Sequence, residues 1–187
     1  MFPKFLKKKY TIILAAVFLL AGAAIWFFGF APVMSVEGKN VSMGEFSKIK
    51  SAISRYDEVS HAVGTSTLPV EVNKRVLGNI IDRALTDELI QKVDSSINQK
   101  AIDRVNETVS KNTTFSLADA AEKLYGLSEQ DFKDLVLVPL TKKNLLLEHF
   151  KDDPGQLNII SDNLVKTANI KIYYPGYSWE NGEVKSK

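Results

Sequence analysis

The longest hydrophobic run of the chain comes early, where Tyr10 to Phe30 reads YTIILAAVFLLAGAAIWFFGF without a single charge. A helix rises ~1.5 Å per residue, so about 20 apolar residues cross the ~30 Å hydrocarbon layer of a bilayer. The run predicts a transmembrane helix over residues 10–31, preceded by a basic tail, residues 1–9, that holds Lys4, Lys7, Lys8 and Lys9. Lysines on that flank keep the N-terminus in the cytoplasm and place the rest of the chain on the far side. Ala21-Gly22-Ala23 is like the small-residue site at which a signal peptide is cut. The apolar run continues past it through Ile25-Trp26-Phe27-Phe28, where a mature N-terminus turns polar, so a retained anchor is the preferred reading.

Beyond Pro32 the pattern breaks into shorter pieces. Val33-Met34-Ser35-Val36 is a strand candidate and Glu37-Gly38-Lys39-Asn40 a turn. Ser42 and Glu45 fit a capping box that opens a helix to about Asp57, with Phe46, Ile49 and Ile53 on its inner face. Residues 58–69 have no period and read as a loop. The strongest helix follows over 69–93, where Val72, Val76, Leu77, Ile80, Ile81, Ala84, Leu85 and Leu89 make one stripe. Gly78 within it costs about 1 kcal/mol against alanine unless close packing recovers it.

A further amphipathic helix covers about 97–111, with Ile97, Ala101, Ile102, Val105 and Val109 on one face. Ser116 starts a short helix that Gly126 ends in a left-handed cap. Ser128 caps a long helix to about Lys151, carrying Phe132, Leu135, Val136, Leu145, Leu146 and Phe150; Pro139 predicts a kink in it. Asp153-Pro154 opens the last helix, with Leu157, Ile160, Leu164 and Val165 inward. Asn169 to Tyr173 alternates like a strand that Pro175-Gly176 stops. Residues 176–187 read as a polar tail, disordered after Trp179.

The predicted fold is therefore mostly α: five or six helices over residues 33–175, with a short two-stranded sheet. Isolated strands are marginal alone, so 33–36 is expected to pair with 170–173 and join the two ends of the domain.

Charge alters one inference. The formal net charge is +2, but the first acid is Glu37, and without the four N-terminal lysines 20 basic residues face 22 acidic ones. The exported part thus lacks the basic excess of a nucleic-acid binder. The absence of cysteine excludes disulfides, thiolate metal sites, a cysteine nucleophile and a lipoprotein anchor.

Candidate chemistry is sparse. No phosphate-binding glycine loop, nucleophile elbow or H-E-x-x-H pattern occurs. His61 reads as a solvated loop residue and His149 as a partly exposed helical one, rather than as metal ligands. Asp153 is explained as a helix cap and Asp152 as a solvated turn. The sequons at Asn106 and Asn112 matter only in a eukaryotic secretory route. Tyr173, Tyr174, Tyr177 and Trp179 form an aromatic group best read as a cover for the strand pair. No catalytic residue, metal ligand or cofactor is assigned.

The order of these elements resembles the chaperone domain of the SurA/PrsA/PpiD group of bacterial envelope foldases. Val36-Glu37-Gly38-Lys39-Asn40-Val41-Ser42-Met43-Gly44-Glu45-Phe46 is similar to that family's opening, and the helix with Leu77, Ile80, Ile81, Leu85 and Leu89 to its central helix. Gly126 to Phe132 is similar to its glycine, polar cap and phenylalanine, and Ala168 to Ile172 to its final strand. The likeness covers about residues 33–175. Where the family carries a parvulin isomerase module, this chain has only Lys151 to Gly155, and Pro139 is a second departure.

The resemblance implies a membrane-anchored, extracytoplasmic holdase for unfolded or emerging exported polypeptides, single-pass in the cytoplasmic membrane of a cell envelope, without isomerase catalysis. The residues that would line its client groove are not assigned. The alternative is a tethered interaction or assembly protein for one folded envelope or export-machinery partner.

Overall fold

A computed structural model of the protein describes residues 31–60, 69–111 and 116–187. All but Ala31 of the span read over 10–31 therefore lies outside the described residues, as do His61, most of the loop read over 58–69, and Asn112. Among the described residues no helix is long and apolar enough to cross a membrane.

Strand β1 (Pro32–Val36) turns through Glu37 and Gly38 into β2 (Lys39–Ser42). Both turn residues have positive φ, 50° and 77°, the geometry of a two-residue hairpin that follows the natural strand twist. The turn read over 37–40 is thus a hairpin, and Lys39-Asn40 belong to a solvent-facing edge strand. On its other side β1 pairs antiparallel with β3 (Ile170–Ile172), Met34 opposite Ile172 and Val36 opposite Ile170. The ends of the domain do meet, in a three-stranded sheet of order β2-β1-β3 rather than a two-stranded one. Val33, Met34 and Val36 are all buried, so β1 lacks the alternation of a strand with one wet face.

Among the described residues six helices come after β2. Helix α1 (Met43–Ser60) begins where Ser42 Oγ accepts the Glu45 N–H at 3.1 Å. The Glu45 carboxylate stands 3.9 Å from Arg83. Helix α2 (Pro69–Val93) is the axis of the fold: Val76, Leu77, Ile80, Ile81 and Ile90 on it are almost fully buried. Helix α3 (Ser96–Lys111) buries Ile97, Ala101 and Val105, but leaves Ile102 exposed.

Helix α4 (Leu117–Ala120) runs on as a π-helical turn, Ala121–Tyr125, and stops at Gly126, whose φ is 64°. The Leu127 N–H reaches back to the Ala121 carbonyl at 3.2 Å and the Gly126 N–H to that of Glu122 at 2.9 Å, a glycine cap one residue wider than usual because it closes a π-helical turn. Helix α5 is continuous through Glu129–Phe132, a π-helical turn Lys133–Leu137, and Val138–His149. Proline has no N–H and crowds the carbonyl four residues back. The turn just before Pro139 takes in an extra residue, and the Val138 N–H bonds Lys133 O, five back. Helix α5 thus meets Pro139 with a widened turn. Helix α6 (Pro154–Thr167) starts at Asp153, whose Oδ1 accepts the Gln156 N–H at 3.1 Å.

Residues 176–187 differ most from expectation. They hold β4 (Tyr177–Glu180) and β5 (Glu183–Ser186), a hairpin turning at Asn181-Gly182 with φ 54° and 83°. Tyr177 and Val184 are buried in the main core, and Tyr174 lies 4.7 Å from the Phe46 ring. The apolar Tyr177, Trp179 and Val184 find cover there, which outweighs the polar composition around them.

Candidate functional site

Among the described residues two hydrophobic clusters hold the domain together. The larger joins the sheet, α2, the C-terminal end of α5, and α6; the smaller gathers Ala52, Ala121, Leu127 and Phe132 where α4 and α5 meet α1. Among the described residues the seam between them is not filled. It forms a groove of about 280 Å³, with Ile49, Ala52, Ile53 and Tyr56 of α1 along one wall. Leu135, Val136, Pro139 and Leu140 of α5 make the other wall, and Arg75, Asn79, Asp82 and Arg83 of α2 lie between them. The π-helical turn thus supplies part of a groove wall, a setting in which such turns recur.

One end of the groove is aromatic. Tyr56 stacks on Tyr125 with ring centres 5.1 Å apart, and Tyr125 packs in turn on Phe132. Burial, and then the neighbouring Tyr56, push the Tyr125 phenol above its ordinary range.

The polar residues follow one line. Arg75, Asn79 and Arg83 succeed each other at intervals of four on α2, about 6 Å apart. Arg75 bonds both carboxylate oxygens of Asp57, at 2.6 and 3.3 Å. Arg83 Nη1 is buried and has no hydrogen-bond partner among the described residues. Lys143 of α5 pairs with Asp82 across the groove.

That ion pair also borders a second groove of about 270 Å³ between α2, α5 and α6, lined by Leu85, Leu89, Leu146, Leu147, Leu157 and Leu164. Three large apolar side chains of α5 and α6 are more than half exposed. Leu140 is 55% exposed, Leu147 59% and Ile159 71%. None belongs to the inward stripe of its helix. Surplus apolar residues off the stripe were the signal in the sequence, and only the packing shows that two of them flank grooves.

The remaining candidates take ordinary roles. His149 is exposed and rests edge-on against Phe150, ring centres 5.0 Å apart. Asp153 is a cap, Asp152 is exposed, and Asn106 lies on the exposed face of α3. Among the described residues no cluster of three acids or histidines has the arrangement to hold a metal ion. Tyr174, Tyr177 and Trp179 join the core, while Tyr173 stays half exposed.

No family model matches the chain, and comparison with curated proteins and with solved structures gave no match either.

Proposed function

We propose that this protein is a membrane-tethered, extracytoplasmic binder of unfolded or emerging polypeptides, a chaperone without prolyl isomerase catalysis. The observation that carries the proposal is the unfilled apolar seam between α1, α2 and α5, with Leu140 exposed at its edge. A water-filled apolar groove is costly to leave open, and such surfaces mark binding sites. The order of elements supports the likeness to envelope foldase domains: an opening hairpin, a long central helix, a glycine-capped turn into α5, and the strand β3 back on β1. A tether at residues 10–31 would hold the groove beside the route by which clients emerge, raising their effective concentration.

The test is suppression of aggregation by the full-length chain in lipid nanodiscs, with a chemically unfolded client. Slower aggregation at equimolar and higher ratios is expected. Unchanged aggregation, with helical circular dichroism intact, would overturn the proposal.

A second reading is favoured by the spacing of Leu140 and Leu147. Two exposed leucines seven residues apart on one helix make the short stripe that a partner helix covers. Crosslinking in cells from position 147 separates the readings. One dominant adduct assigns an adaptor for a folded envelope partner, and a spread of adducts assigns a chaperone.

A further inference from the structure

We infer that the groove between α1, α2 and α5 selects apolar segments that carry a carboxylate, and that Arg83 is the residue that recognises it. The inference rests on the polypeptide-binding reading and names the class of segment bound.

Arg83 lines the groove with only 21% of its side chain exposed. A buried guanidinium nitrogen without a hydrogen bond is expensive, because desolvation is not compensated. Glu45 offers partial compensation at 3.9 Å, beyond hydrogen-bond reach, and its own carboxylate is 41% exposed. The other cations on the groove are already matched at bonding distance, Arg75 by Asp57 and Lys143 by Asp82. Among the described residues the groove therefore presents apolar walls and one cation whose paired acid stands beyond hydrogen-bond reach. Its complement is an apolar stretch with a single acidic side chain. A planar guanidinium grips that carboxylate by two parallel bonds.

The experiment uses the full-length chain in nanodiscs and fluorescent, C-terminally amidated heptapeptides of leucine and alanine whose central residue is glutamate, glutamine or lysine. Binding is read by anisotropy. The glutamate peptide is expected to bind about tenfold tighter than the glutamine peptide, and the lysine peptide weakest. Arg83→Gln brings the glutamate peptide down to the glutamine level and leaves the glutamine peptide unchanged, while Arg83→Lys retains part of the preference. Glu45→Gln removes the competing carboxylate and leaves Arg83 in place, so it widens the preference; this variant tests the idea even if Arg83→Gln fails to fold.

Equal binding of the three peptides overturns the carboxylate preference and leaves polypeptide binding standing. No binding of any peptide overturns both. Concentration-dependent dimers that Leu140→Ser dissolves, with no peptide preference, assign the groove to a second copy of the chain and overturn the inference as well.

Discussion

Lys48 on α1 donates a 2.7 Å bond to the carboxylate of Asp131 in the first turn of α5, fastening one wall of the groove to the other. Asp131 also closes a cap: its N–H donates to Ser128 Oγ at 3.1 Å, and the Ser128 hydroxyl donates back to its other oxygen at 2.8 Å. The lysine bond first, then the serine bond, hold the Asp131 carboxyl below its ordinary range. A depressed folded-state value means stability that is fully present above the unfolded value near pH 4. It is lost as pH falls through the lower, folded-state value. Asp131→Asn is therefore expected to cost about 0.5–1 kcal/mol at pH 7. The gap to the natural protein should shrink as pH falls below 4 and through the folded-state value in urea titrations.

Gly78 lies inside α2, and a Cβ built on it meets nothing within 4 Å among the described residues. Close packing does not explain this glycine. Gly78→Ala is expected to stabilise the domain by about 0.5–1 kcal/mol and to raise Tm by roughly 2–4 °C in a calorimetric scan.

The same substitution at Gly182 has the opposite sign. Its φ is +83°, and a Cβ would come 2.9 Å from Val165 on α6. Gly182→Ala is expected to destabilise by more than ~1 kcal/mol. Amide exchange should then quicken first across β4 and β5.

Leu140→Ser and Leu147→Ser touch side chains more than half exposed. Each should change unfolding stability by no more than about 0.5 kcal/mol. Aggregation suppression by the double variant is expected to fall severalfold, measured on the same client. A double variant that stays fully active would place the binding surface elsewhere.

Much of the fold was legible because its signals are local. Ser42, Ser128 and Asp153 each cap a helix through the N–H three residues on, and a cap is written in adjacent residues. The pairing of β1 with β3 followed from two strands with no other partner. Asn181-Gly182 between Trp179 and Val184 was a hairpin signal hidden by polar neighbours. The π-helical turn before Pro139 was not legible, since proline only requires that the turn adjust and packing decides how. The groove is a property of two clusters that fail to merge, and no single stretch of sequence states that.

The pairing of Met34 with Ile172 sets a timetable for the chain as it is made. β1 can find β2 within microseconds, since a two-residue turn joins them. Its other edge must wait for β3. Synthesis at about 5–20 residues per second puts on the order of ten seconds between the two strands. Through that interval the β1–β2 hairpin is finished on one side and unpaired on the other. An open strand edge invites foreign strands, so the domain is most exposed to mispairing until β3 has been translated.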